Sequence, residues 1–118
     1  MVVEVIDVSS RILDELGVTG MERFMYRAFI KQVVTLWKRG RVTFRIKKPP
    51  EWVTEKLKGK GISLRAYRDE RGRVVASWVI VKDEKTLVKL YECAYGCNET
   101  ILERIVEELK KYNKLFIV

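Results

Sequence analysis

At one glycine the chain changes from the period of a helix to the period of a strand, and few folds accommodate both so close together. Before Gly40, the apolar residues Met21, Phe24, Met25, Ala28, Phe29, Val33, Leu36 and Trp37 recur at helical spacing. After it, Val42, Phe44 and Ile46 alternate strictly with Arg41, Thr43, Arg45 and Lys47. The spacing predicts a helix from about Gly20 to Arg39, opened by a capping box of Thr19 and Glu22 and closed at Gly40. The alternation predicts a strand over Arg41–Lys48 with one core face and one basic face. A helix and a strand that must each bury one face point to an α+β domain.

The rest of the chain extends this pattern. Val2–Val8 is a β-prone run, and Ser9 or Ser10 caps a brief helix through Leu16 that stops at Gly17. Pro49-Pro50 breaks the basic strand and opens a short helix through about Lys58. Ile62–Arg68 reads as a strand, Asp69–Arg73 as a hairpin turn, and Val74–Lys82 as a strand apolar on both faces, suited to the centre of a sheet. Asp83–Lys85 reads as a turn and Thr86–Cys93 as a fourth strand. Asn98 caps a closing amphipathic helix carrying Ile101, Leu102, Ile105, Val106, Leu109 and Tyr112. The apolar end, Leu115–Val118, is expected to pair with a sheet edge or enter a subunit interface. The expected architecture is one domain over 1–118, with a mainly antiparallel sheet of four or more strands packed against the long helix and the C-terminal helix.

Composition narrows the setting. The 118 residues suffice for an independent core, and no apolar run approaches the roughly 20 residues that cross a bilayer. The first residues lack the layout of a signal peptide, so the expected location is the cytoplasm, without membrane attachment. Histidine is absent, Gln occurs once and Asn twice, while Lys, Arg and Glu abound, which is a thermophile's bias. Ion-pair networks on a heat-stable surface would account for many charges, but in similar numbers of each sign. Here 24 bases face 16 acids, a net of +8. Residues 21–60 alone hold twelve bases and three acids. A local surplus of that kind is the footprint of a surface that neutralises phosphates.

Within the surplus, Arg23, Arg27 and Lys31 follow at intervals of four, and Lys38 returns to their sector at about 100° per residue. With Arg41, Arg45 and Lys47 on the strand they form an expected continuous track. A solvated face accounts for the helix stripe taken alone; it does not account for the surplus. Ile30 and Val34 fall in the same sector, either as contact area among the charges or as a packing or dimer seam. Tyr67 shares a strand face with Ser63 and Arg65, and Trp52 stands ahead of Lys56, Lys58 and Lys60, so both are candidates for base stacking. The alternative for Trp52 is an anchor holding the short helix to the core. Trp37 and Trp78 read as core. Lys58-Gly-Lys60-Gly61 brings two ammonium groups and glycine backbone toward a phosphate but lacks the spacing of a nucleotide-binding loop. Cys93 and Cys97 supply two sulfurs with no histidine to complete a zinc site, leaving a disulfide or buried thiols open. No catalytic constellation is found and no cofactor is implied.

The layout of the helix Gly20–Arg39, the basic strand Arg41–Lys48, the three following strands and the closing helix from Asn98 resembles the archaeal single-stranded-DNA-binding group called ThermoDBP and its shorter relatives. That resemblance implies binding of single-stranded DNA without sequence preference and assembly into dimers or larger homo-oligomers. It departs from the group in lacking a long zipper-like C-terminal extension. The expected function is therefore non-catalytic nucleic-acid binding, single-stranded DNA first, with RNA admitted. Its phosphate contacts are Arg23, Arg27, Lys31, Lys38, Arg41, Arg45, Lys47, Lys58 and Lys60, and its stacking residues are Trp52 and Tyr67. Duplex or structured-RNA binding, or an assembly subunit with an acidic partner, are the alternatives.

Overall fold

The computed structural model of the protein describes residues 5–112, with side chains from Val8 onward. Helix α1 spans Val5–Glu15 and buries Val8, Ile12 and Leu13. The β-prone reading of Val2–Val8 is therefore corrected over Val5–Val8, and residues 2–4 lie outside the described residues. β-branched residues cost a helix well under 1 kcal/mol each, less than a buried apolar side chain returns.

Helix α2, Glu22–Arg39, ends as expected at Gly40, whose φ of 75° is the left-handed conformation and whose N–H reaches Leu36 O at 2.7 Å. Its start differs. The N-cap is Met21 and no side chain caps it, because the chain enters the helix through a turn at Gly20 and Met21, leaving Thr19 too far upstream. Its buried face also differs. Ile30 and Val34 are buried, whereas Met21 and Phe24 are 93% and 81% exposed. Packing against both α1 and the later helices draws the buried arc around toward Ile30 and Val34.

Strand β1 (Val42–Lys47) keeps the expected alternation, with Phe44 buried and Thr43, Arg45 and Lys47 exposed. Helix α3 (Glu51–Gly59) follows Pro49-Pro50 and buries Val53 and Leu57. Strand β2 is short, Arg65–Arg68, and β3 runs Val74–Val81. β3 lies between the other two and is antiparallel to both, giving the order β1-β3-β2. β1 and β2 therefore point the same way, connected through α3, with β3 slotted between them.

The expected fourth strand is a helix. α4 spans Glu84–Tyr95, so among the described residues the sheet has three strands, not four or more, set against five helices. Asp83 is its N-cap: one carboxylate oxygen accepts the Thr86 N–H at 2.8 Å and the other the Thr86 hydroxyl at 2.9 Å. Leu87, Val88, Leu90 and Tyr91 then fall on one buried helical face. Helix α5, Glu99–Lys110, is capped by Asn98 as expected.

The helices cover one face of the sheet. Phe44 meets Tyr91 and Tyr95 of α4 at centroid distances of 5.5 and 5.9 Å, and Phe29 of α2 meets Tyr91 edge-on at 5.2 Å. The Tyr26 hydroxyl accepts the Asn98 N–H at 2.8 Å, and Trp37 Nε1 donates to Glu84 Oε1 at 2.7 Å, fixing α2 to the start of α4 and to the α4–α5 junction. The buried apolar residues form one continuous core. Among the described residues no helix is long and apolar enough to cross a membrane.

Candidate nucleic-acid interface

Directly opposed residues in an antiparallel sheet share a face, so the register defines the two sides of this one. Val42, Phe44 and Ile46 oppose Val81, Val79 and Ser77 and face the helices. The other side is made of three rows. Thr43 opposes Ile80; Arg45 opposes Trp78, which in turn opposes Arg65; Lys47 opposes Ala76, which opposes Tyr67. This outer face carries three cations and no acid. Tyr67 is 68% exposed, Ile80, Arg45, Lys47 and Arg65 are exposed, and Trp78 is half-buried beneath Arg65. The Arg65 guanidinium carbon stands 5.2 Å from the centroid of the Trp78 ring, a cation–π contact.

β3's outer side chains, Ala76, Trp78 and Ile80, form an apolar spine down the middle of the face. Cations flank it on β1 and β2. Such an arrangement offers planar rings to nucleobases and charge to the phosphates beside them.

Two residues essential to this face were not among the sequence candidates. Trp78 reads as core because Val74–Val81 is apolar at every position but Ser77. Its place on the outer face follows from the sheet having helices on one side, which no periodicity within β3 discloses. Arg65 alternates with the expected stacking residue Tyr67, a signal present in the sequence, and only the register reveals that it lies over Trp78.

The expected residues divide by position. Arg45, Lys47 and Tyr67 lie together on the outer face, and Arg41 is exposed just before β1. Arg27, Lys31 and Lys38 are exposed on α2 and form no ion pair among the described residues, but α2 belongs to the helical layer behind the sheet, so helix stripe and strand face do not make the single continuous track expected. Arg23 is engaged structurally: its Nη1 bridges Asp14 at 2.7 Å and donates to Val18 O at 2.9 Å, tying α2 to the end of α1. Ile30 and Val34 are buried within the protomer and offer neither exposed contact area nor a dimer seam. Trp52 is 61% exposed on α3 rather than anchored in the core, and Lys58 is exposed on the same helix. Lys60 bridges Glu92 at 3.2 Å, and that hydrogen bond raises its pKa. Lys58 and Lys60 are thus separated in role, one exposed with no ionic partner among the described residues and one joining the end of α3 to α4.

Cys93 and Cys97 are free, buried thiols. Burial raises the Cys97 thiol to about 11, with Glu22 adding to the effect, so it is protonated near neutral pH. Among the described residues no three histidine, cysteine or acidic side chains are grouped to hold a metal ion. The concavity between α4 and α5 is lined by Glu84, Glu99, Glu103 and Glu107, with Lys85, Lys89 and Lys110 among them, and its carboxylates disfavour a phosphate.

Comparison with protein-family models, with curated proteins and with solved structures finds no match.

Proposed function

We propose that this protein binds single-stranded nucleic acid, single-stranded DNA first, on the outer face of its three-stranded sheet. The observation that carries the reading is the row Arg45–Trp78–Arg65, an indole set between two cations on a face turned away from the helices. In this reading bases stack on Trp78 and Tyr67 while Arg45, Lys47 and Arg65 neutralise phosphates. No chemical step is assigned to it. Binding would be tolerant of sequence, since stacking and charge read no base edge. The resemblance to ThermoDBP and its shorter relatives counts three strands after the basic one, whereas the fold has two, with helix α4 in place of the third, so the resemblance carries no weight in this reading.

Single-strand stacking contributes about 1–3 kcal/mol per base, whereas a duplex keeps its bases stacked on each other and would meet only the cations. Fluorescence anisotropy with matched single-stranded and duplex DNA and RNA, across a salt series, separates the modes. Tighter binding of single strands, weakening as salt rises, supports the proposal. Equal binding of duplex and single strand would favour the ionic mode, and no binding near physiological salt would sink both.

A second reading, an assembly subunit, draws on Met21 and Phe24. Two large apolar side chains so exposed at one helix start, beside Arg23 and Arg27, are where a homodimer contact would sit. The seam expected at Leu115–Val118 lies outside the described residues. Phe24→Ser, followed by sedimentation, tests it: a dimer that becomes a monomer supports this contact.

A further inference from the structure

We infer that the nucleic-acid strand lies lengthwise along β3, its phosphates over the outer column of β1, and leaves the sheet at its hairpin end past the cations Lys48 and Arg71. The inference rests on the single-strand reading above and adds a direction, a footprint and two contact residues.

The direction comes from how charge and apolar surface are arranged. The spine Ala76, Trp78 and Ile80 runs along β3, so a row of bases meets apolar surface continuously only if it runs the same way. The exposed cations Arg41, Arg45 and Lys47 occupy alternate positions, with Thr43 between, on the outer side of β1. A strand rises about 3.4 Å per residue, so alternate side chains stand about 7 Å apart, roughly twice the axial rise per phosphate of one strand in a stacked duplex. A column with that repeat suits a nucleic-acid strand drawn out of its stack, with one phosphate per outward side chain. Trp78 and Tyr67 are diagonal neighbours on adjacent strands, also about 7 Å apart, and can take successive bases of the same drawn-out strand.

The exit follows from the end of the sheet beyond Lys47 and Tyr67. Lys48 follows Lys47, and the turn 69–73 follows Arg68. Lys48, Asp69 and Arg73 line one open concavity there, and Asp69, Glu70, Arg71 and Arg73 line the next around the tip, so the cations of the turn stand beside two acids. The tip is built before any ligand arrives. Asp69 Oδ1 accepts the N–H groups of Arg71 and Arg73 at 2.9 Å, its Oδ2 accepts Arg73 Nε at 3.2 Å, and Arg68 Nη1 donates to Gly72 O at 2.9 Å. Asp69 and Arg68 are thereby consumed in shaping the turn, while the Arg71 side chain and Lys48 have no ionic partner among the described residues and are free to meet phosphate. From Arg41 to this tip the face is about 25 Å long, room for about four or five drawn-out nucleotides.

The test compares oligo(dT) of four and of twelve nucleotides on the wild type and on Lys48→Gly/Arg71→Ala. Lys48 has a φ of 43°, a conformation glycine adopts freely, and Arg71 contributes its backbone rather than its side chain to the turn, so the variant keeps the fold. Circular dichroism and melting check this. The expected result is little change for the 4-mer, which the aromatic rows hold, and about tenfold weaker binding of the 12-mer, with its salt slope shallower by about 1.4, two phosphates' worth for a single strand. Unchanged binding of the 12-mer, or equal loss for both lengths, overturns the exit while leaving the aromatic platform standing. Failure of the wild type to bind either length overturns the single-strand reading, and the inference with it.

Discussion

Arg65 lays its guanidinium over the indole of Trp78, its direct cross-strand partner, with 5.2 Å between the guanidinium carbon and the ring centroid. The contact occupies one face of the ring at a solvent-facing position. An exposed cation–π contact is worth about 0.5–1 kcal/mol, and a stacked base about 1–3 kcal/mol. In the proposed reading a base outcompetes the guanidinium for the indole, and the displaced guanidinium is left beside that base's phosphate; Trp78 and Arg65 would then act as a pair in which the resting partner becomes a phosphate ligand.

Trp78→Ala and Tyr67→Ala are each expected to weaken single-strand binding by about 1–3 kcal/mol, roughly 5- to 150-fold, while duplex affinity changes little. Trp52→Ala, on α3 and off the platform, is expected to stay within twofold of wild type. Anisotropy titrations of the three variants at one salt concentration check the ranking.

Arg45→Ala and Lys47→Ala should each make the salt dependence of single-strand binding shallower by about 0.7 in log–log slope, one phosphate's share. Arg27→Ala and Lys31→Ala remove the same charge from the helical layer, and short oligonucleotides should retain their slope. Slopes measured between low and physiological salt distinguish sheet from helix stripe.

Asp83→Ala should destabilise the protein by about 1 kcal/mol through loss of the α4 cap, read as a lower urea midpoint with unchanged m. Phe44→Ala should cost more, about 3–5 kcal/mol, because the ring is buried against Tyr91 and Tyr95.

The Asp83 cap also marks where sequence and fold part. Apolar residues at 87, 88, 90 and 91 fit a helix, and Asp83 three residues before Thr86 is a cap signal, so α4 was legible in residues that read as a turn and a strand. The Gly40 switch, the alternation of β1 and the Asn98 cap were legible because each rests on contacts within a few residues. The rotation of α2's buried face toward Ile30 and Val34 was not, since it is set by where α1 packs. Nor was Trp78's place on the outer face: a strand with apolar residues on both faces does not reveal that one side of the sheet is left without a helix. Tyr67, Arg45 and Lys47 were found because they alternate on their own strands, and Arg65 and Trp78 join them only through register.

Raised pKa values set the alkaline limit of stability. Cys97, at about 11 in the folded protein against 9.0 for a free thiol, is protonated in the fold where the unfolded chain has already lost its proton. The unfolded state therefore binds fewer protons between those values, and stability falls as pH rises through that window. Tyr26, Tyr91 and Tyr95, raised by burial, and Lys60, raised by Glu92, act in the same direction at and above the alkaline end. Urea unfolding should give a stability independent of Cys97 ionisation below about pH 8 and lower by about 2 kcal/mol by pH 11. Cys97→Ala should flatten part of that decline.

The most direct measurement is a ¹H–¹⁵N NMR titration of the protein with a short oligo(dT), following backbone amides and the three indole N–H signals. The account predicts that shifts concentrate on Thr43, Arg45, Lys47, Arg65, Tyr67, Ala76 and Ile80, and that Trp78 moves more than Trp37 or Trp52. Shifts confined to the helical layer, with Trp78 unmoved, would contradict it.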